Sequence, residues 1–163
     1  MEDEATKLLA ALKKPSTQVD TRLALFNSLK SGIKHNRVPD TAQATIYECI
    51  RIAIGASTSA ALVSTGFSTL SHFIKRLALQ GETSILTSNS HNLLALLLDR
   101  LGDARESHRN AAAQILGDLY PLLQTEVQTL MQDNAMKGAN ARAKDVSMQW
   151  LVKVRDEITH MAE

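Results

Sequence analysis

Apolar side chains recur along this 163-residue chain at intervals of three and four positions, the spacing of an α-helix that buries one face. The pattern predicts about eight helical segments, each with one apolar stripe and a polar opposite face. The alternation of single apolar and polar residues that marks a half-buried strand is absent from the sequence. The longest stripe, in a segment at about residues 59–79, comprises Leu62, Gly66, Phe67, Leu70, Phe73, Ile74 and Leu77. The chain is therefore predicted to be all-α.

The predicted helices pair into four hairpins, at about residues 3–34, 39–79, 90–120 and 121–162. Residues 81–90, between the second and third hairpins, hold many small polar side chains, which predicts a loop with at most one short turn of helix. Proline suits the first turn of a helix, and Pro39 and Pro121 stand where the second and fourth hairpins begin.

The hairpins form a repeat. When the second helices are aligned on their apolar stripes, equivalent positions lie about 35 to 45 residues apart, the spacing of HEAT and armadillo units. These positions are Leu29, Leu70, Ile115 and Trp150. An amphipathic hairpin cannot bury its apolar face alone, so neighbouring hairpins must stack. The sequence therefore predicts an α-solenoid of about four HEAT-type hairpins, forming a single domain over residues 1–163.

The turn inside the third hairpin carries the most specific local signals. Gly102 suits a left-handed residue at a helix C-terminus, and Asp103 followed by Glu106 resembles a capping box. Arg109 lies six residues after Asp103, a spacing that fits an ion pair bracing the turn. Asp103 and Arg109 are therefore predicted to be structural, as is Trp150, which lies in the apolar stripe of the last helix.

Composition and charge exclude several classes of partner. The formal net charge is +1 and charged residues make up 21% of the chain, so no electrostatic excess directs it to nucleic acid or to a membrane. The longest apolar run, residues 93–98, is too short to span a bilayer, and the N-terminus is acidic where a targeting peptide would be basic. A single cysteine, Cys49, excludes an internal disulfide and fits the cytosol or nucleus.

No constellation of residues indicates catalysis. The five histidines are scattered, with no pair at metal-ligand spacing. A phosphate-binding glycine loop, a nucleophile elbow and a plausible pair of catalytic carboxylates are all absent from the sequence. We therefore expect a protein that is not an enzyme, holds no cofactor or metal, and acts by binding other proteins.

The third hairpin resembles a HEAT repeat: a leucine-rich first helix, the Leu101-Gly102-Asp103 turn, Arg109, and an alanine-rich second helix. More narrowly, residues 100–109, RLGDARESHR, resemble the corresponding turn in TOG domains of CLASP-type microtubule-associated proteins. Residues 26–34, FNSLKSGIK, and the unit ending in MQWL at 148–151 resemble the N-terminal TOG-like domain of fungal CLASP proteins. In HEAT proteins the equivalent aspartate and arginine bond along the ladder of turns.

The resemblance implies a binding surface. TOG domains are paddles of six HEAT repeats whose intra-repeat turns line one narrow edge and contact tubulin. Here those turns would be residues 13–19, 55–59, 102–105 and 138–142, and the chain would lack the last two repeats. The candidate residues of this edge are Lys13, Lys14, Ser57, Arg105 and Arg142.

The function implied is that of a microtubule-associated domain that binds tubulin or spindle components and helps to stabilise microtubules and the mitotic spindle. Its expected location is the cytoplasm, cytoskeleton and spindle, with the nucleus and kinetochore as further sites. Tubulin-binding TOG domains usually carry an exposed aromatic in the first turn, whereas this turn reads KKPSTQ from Lys13 to Gln18.

That departure keeps a second reading open, an adaptor that docks a kinetochore or other spindle protein without binding tubulin directly. A generic HEAT scaffold in transport or nuclear import is a third. A solenoid that ends between repeats exposes an apolar face, so self-association through residues 150–161 is also expected.

Overall fold

The computed structural model describes residues 1–56, 59–137 and 140–162, with the side chains of all of these except 137, 146 and 154–162. Within those ranges every regular element is a helix. The helices are α1 (Glu2–Lys13), α2 (Val19–His35), α3 (Asp40–Gly55), α4 (Ala60–Gln80), α5 (Ser84–Ser88), α6 (Ser90–Leu101), α7 (Glu106–Leu119), α8 (Gln124–Lys137) and α9 (Ala141–Ala162). The predicted class, an all-α solenoid of HEAT-type hairpins, is confirmed. The short helix α5 lies in the stretch predicted as a loop.

The chain divides into two compact units, Met1–Asn89 and Ser90–Glu163. In the first unit α1 pairs with α2 and α3 pairs with α4, while α1 packs on α3 and α2 packs on α4. First helices therefore form one layer and second helices another, the arrangement expected of stacked amphipathic hairpins. The core between the layers contains Leu8, Phe26, Leu29, Ile33, Ile46, Ile50, Ile54, Leu70, Phe73 and Leu77.

Helix α4, the longest in the first unit, has a defined cap at each end. The hydroxyl of Ser59 accepts a hydrogen bond of 3.2 Å from the backbone N–H of Leu62, which satisfies one of the free donors of the first turn. At the other end Gly81 takes a left-handed conformation, with φ of 68°, and its N–H donates to the carbonyl of Ala78. Glycine adopts this conformation without steric cost, so the helix stops there.

In the second unit α6 pairs with α7 and α8 pairs with α9, and α6 also packs against α8 and α9. Leu97, Leu101, Leu116, Leu119, Val127 and Met131 are fully buried in its core. A buried polar pair joins the last hairpin: Asn134 Nδ2 donates to Ser147 Oγ over 2.6 Å, and Ser147 Oγ donates to the carbonyl of Ala143 over 2.8 Å. Since buried polar atoms are costly unless bonded, this pair fixes the register of α8 on α9.

In the described part of helix α9, Ala143 and Ser147 are buried, and Trp150 and Leu151 are half-buried. Trp150 is half-buried and packs edge-on against Tyr120, with ring centroids 5.5 Å apart and planes at 76°. Met148 is 52% exposed. It follows the buried Ser147 directly, and one helical step turns a side chain by about 100°, away from the core. Val154, Ile158 and Met161 of the predicted stripe lie outside the described side chains.

The close approach of α3 and α4 depends on Gly66. A Cβ atom at this position would lie 3.0 Å from Ala53 Cβ and 3.0 Å from Ile54 Cγ1. We expect Gly66→Val to lower the free energy of unfolding by about 1–3 kcal/mol, because the added atoms overpack the contact between the two helices. Chemical denaturation followed by circular dichroism measures this change.

The matched control is Gly117→Ala in α7, where a Cβ would meet nothing within 4 Å. That variant should gain about 0.5–1 kcal/mol of stability, because alanine loses less backbone entropy in a helix. Equal effects at the two glycines would contradict the packing described for α3 and α4.

Candidate partner-binding edge

The turn between α6 and α7 is held by the carboxylate of Asp103. One oxygen, Oδ2, accepts a hydrogen bond of 2.7 Å from Arg100 Nη1 and lies 3.2 Å from His108 Nδ1. The other, Oδ1, accepts from the backbone N–H of Arg105 over 2.7 Å. The side chains of Arg100, Asp103 and His108 are 18%, 13% and 4% exposed, so water competes little for these bonds. The turn that carries the exposed Arg105 is therefore fixed before any partner binds.

These contacts lower the pKa of Asp103. Burial alone would raise it, but the hydrogen bonds from the Arg105 backbone, Arg100 and His108, with the His108 charge, outweigh burial and bring the pKa to about 2. The carboxylate is thus charged at every pH at which proteins normally work.

Arg109 braces the same turn through different atoms from those predicted. Its Nη1 donates to the carbonyl oxygens of Asp103 and Ala104, over 2.9 Å and 3.1 Å. The predicted ion pair between Asp103 and Arg109 is wrong, because Arg100 takes the carboxylate. The predicted capping box is also wrong: Arg105 occupies the N-cap of α7, and no side chain caps that end. The carboxylate bonds to Arg105 N–H, so it closes the turn and does not cap the helix.

Two further arginines stabilise helix ends, and sequence reasoning missed both. The last carbonyls of an α-helix have no partner within it. Arg22 donates to the carbonyls of Ala11 and Lys14 at the end of α1, over 3.2 Å and 2.8 Å. Arg76 does the same for Ile33 and Lys34 at the end of α2, over 3.0 Å and 2.6 Å. A periodicity search finds apolar stripes and passes over such half-buried arginines.

The turn between α8 and α9 touches the turn between α6 and α7 through Asn140. Asn140 Nδ2 donates to the carbonyl of Gly102 over 3.4 Å, and its Oδ1 accepts from the backbone N–H of Ala143 over 3.1 Å. A Cβ on Gly102 would lie 2.6 Å from Asn140 Nδ2. Among the described residues a positive φ occurs at Gly81 and not at Gly102, so the predicted left-handed conformation is wrong. Gly102 leaves room for its neighbouring turn.

The contact between Asn140 and Gly102 joins the turns near two of the candidate residues. Arg105 and Arg142, both exposed, follow the two turns that Asn140 and Gly102 join. Two neighbouring turns of the second unit are therefore each accompanied by an exposed arginine.

Lys13 and Lys14 are exposed at the turn between α1 and α2 in the first unit. The turn is closed by a bond of 3.1 Å from the N–H of Thr17 to the carbonyl of Lys14. Lys13 also acts inside the unit, because its charge helps Arg51 to lower the pKa of Glu48 on α3; the Arg51 hydrogen bond is the larger cause. Ser57 lies outside the described residues.

The described parts of the chain also bear on metal binding, membrane insertion and cysteine reactivity. There, no group of three or more histidine, cysteine or acidic side chains could hold a metal ion. None of the described helical stretches is long and apolar enough to cross a membrane. Burial raises the pKa of the Cys49 thiol to about 12, so this cysteine is a poor nucleophile.

Comparison with known proteins identifies the family. The family described as CLASP N terminal matches residues 1–163. This chain belongs to the CLASP N-terminal family. Protein STU1 of Phaeosphaeria nodorum is 68% identical over 154 residues, and protein stu1 of Aspergillus oryzae is 42% identical over 151 residues. These matches cover 94% and 93% of the chain and 13% of each relative, so the chain spans about an eighth of their length.

The CLASP fold is confirmed by a solved structure. The crystal structure of the MAST/Orbit N-terminal domain matches with a TM-score of 0.73 at 21% identity, over 96% of this chain and 66% of that one. The resemblance predicted from residues 100–109 is therefore confirmed. The family is one of microtubule-associated proteins.

Replacing Asp103 tests the turn. We expect Asp103→Asn to lower the free energy of unfolding by about 1–3 kcal/mol at neutral pH, because it removes the charge that bonds Arg100 and His108. The native pKa, about 2, lies below the ordinary 3.8, so this contribution is complete above about pH 4 and is lost as the pH falls towards 2. Denaturation of both proteins across this range measures it.

Asp133→Asn is the matched control, since Asp133 is an exposed carboxylate on α8. Its effect should stay within about 0.5 kcal/mol. A stability difference between wild type and Asp103→Asn that is the same at pH 2 and pH 7 would show that the charge of Asp103 does not hold the turn.

Proposed function

We propose that this chain is a TOG-like domain that binds tubulin or a spindle component through the edge formed by its intra-repeat turns, and so helps to stabilise microtubules and the mitotic spindle. The observation that carries the proposal is the contact of Asn140 with Gly102, since it joins two turns that are each followed by an exposed arginine, Arg105 and Arg142. Membership of the CLASP family supports the choice of the microtubule system as partner.

In this mechanism, turns with a fixed backbone hold cationic side chains in place for the partner. Asp103 and Arg109 fix the turn that carries Arg105, so little conformational entropy is lost when a partner binds. Guanidinium groups bond carboxylates through two parallel N–H donors, which suits an acidic protein surface. Lys13 and Lys14 supply the same charge at the first turn. This work takes place in the cytoplasm, on the cytoskeleton and the spindle.

A second function is favoured by one observation, the composition of the first turn. Residues 13–18 contain no aromatic side chain. Buried aromatic anchors dominate the energy of many interfaces, and charged rim residues mainly set association rate and orientation. An edge of cations without that anchor suits an adaptor that docks a kinetochore or other spindle protein without binding tubulin directly. The nucleus and kinetochore are the locations that this alternative adds.

The variant Arg105→Glu/Arg142→Glu tests whether tubulin binds at the edge or at another part of the surface. Reversing both charges should weaken binding of soluble tubulin about tenfold or more, equivalent to ~1.4 kcal/mol, because attraction to an acidic surface becomes repulsion. Titration of fluorescently labelled tubulin with the chain measures the dissociation constant.

The matched control reverses two exposed lysines within helices, Lys7→Glu/Lys153→Glu. It carries the same change in net charge and should bind tubulin nearly as wild type does. Equal weakening by both pairs would remove the edge from the proposal. If wild type does not bind tubulin at all, a pull-down from mitotic extract depleted of tubulin tests the adaptor, which should recover spindle proteins through Arg105 and Arg142.

A further inference from the structure

Three lysines lie on two neighbouring helices of the first unit, with Lys34 and Lys75 exposed and Lys30 half-buried. Lys30 and Lys34 lie one helical turn apart on α2, and Lys75 lies on α4, the helix that packs beside α2. Arg76, the residue after Lys75, joins α4 to the end of α2, because its guanidinium donates to the carbonyls of Ile33 and Lys34. We call Lys30, Lys34 and Lys75 the lysine patch.

His72, half-buried on α4, reports how close these charges are. Its pKa is lowered first by burial and then by the positive charges of Lys34, Lys75 and Lys30. All three charges therefore act on one imidazole ring.

The lysines of the patch differ from some other cations of the first unit in their ion pairing. In the part of the chain that the structure describes, no carboxylate lies within ion-pairing distance of Lys30, Lys34 or Lys75. Two arginines of the same unit, by contrast, are paired on the surface: Arg37 with Glu82, and Arg51 with Glu48.

Helix dipoles do not account for the patch. A cation is favoured in the last turn of a helix, which explains Lys34 near the end of α2. Lys30 lies before that turn, and the last turn of α4 contains no basic residue. Residues 1–89 as a whole carry ten lysines and arginines against seven acidic residues. The helix dipole therefore explains Lys34 but not the presence of Lys30 and Lys75 beside it, which adds repulsion between like charges.

The size of the patch limits what fits it. Lysines one turn apart are separated by about 5–6 Å, and packed helices by about 8–10 Å. An extended peptide advances about 3.3 Å per residue, so a short run of acidic residues can contact all three lysines. The patch has no exposed aromatic side chain for stacking bases. One turn after Lys75, Leu79 is 80% exposed, which adds an apolar contact at the rim.

We propose that the lysine patch docks an extended acidic segment of another polypeptide, with an apolar residue of that segment placed on Leu79. The charges are complementary, and carboxylates spaced along a peptide match lysines spaced over two helices. The site lies on helix faces and shares no residue with the turns that carry Lys13, Lys14, Arg105 and Arg142. The proposal for the lysine patch can therefore be tested separately from the proposal that the turns bind tubulin.

The test is fluorescence anisotropy of a short labelled peptide of glutamates ending in leucine, titrated with the 163-residue chain. The variant Lys30→Gln/Lys34→Gln/Lys75→Gln should bind about tenfold more weakly or worse, and wild-type binding should fall as salt is added. Glutamine keeps the helix propensity of lysine, so the variant should fold as wild type does. Leu79→Ser should weaken binding a few-fold and leave the salt dependence unchanged.

The control Lys7→Gln/Lys144→Gln/Lys153→Gln removes three helical lysines that belong neither to the lysine patch nor to the residues proposed for the edge, and it should change affinity by less than about twofold. Equal affinity of wild type and the patch variant overturns the proposal, as does equal loss in patch and control variants. An oligonucleotide of the same charge that binds more tightly, and is released by the patch substitutions, would assign the surface to nucleic acid and overturn it too.

Discussion

Each helix of this protein has one apolar face that its hairpin cannot bury alone, and the whole arrangement follows from that constraint. In the first unit α1 covers α3 and α2 covers α4, so every apolar stripe meets another. Within the second hairpin, the contact of Gly66 on α4 with Ala53 and Ile54 on α3 shows how closely paired helices pack. In the second unit, a hydrogen bond from Asn140 to the carbonyl of Gly102 joins two of the connections between paired helices.

The helix ends set a second requirement, since their last carbonyls need donors. Arg22 and Arg76 supply them for α1 and α2, and Arg109 supplies them for the turn after α6. These half-buried arginines leave the turn backbones rigid. The same charge that stabilises a turn from within is then available in exposed form on Arg105 and Arg142 for contact with a partner. Exposure thus separates the half-buried arginines that hold the turns from Arg105 and Arg142, which we propose for partner binding.

Sequence reasoning recovered the elements because helical periodicity is a local property: the eight longer helices end within a few residues of their predicted bounds. It failed where a residue's role depends on a neighbour distant in sequence. Gly102 was predicted to be left-handed, but it is needed because Asn140 approaches it from the next hairpin. Asp103 was assigned to Arg109 on spacing, whereas Arg100 and His108 lie nearer in space. Sequence reasoning did not find the lysine patch, because Lys75 lies on a different helix from Lys30 and Lys34.

The central claim is that stacking holds neighbouring turns in register through Asn140 and Gly102, and a double-mutant cycle tests it most directly. Asn140→Ala and Gly102→Ala should each cost about 1 kcal/mol of unfolding free energy, because both displace the Asn140 side chain that caps α9. The double variant should then cost little more than either single one, a coupling of about 1 kcal/mol. Strictly additive effects would contradict the account, since they would mean that the two turns do not sense each other.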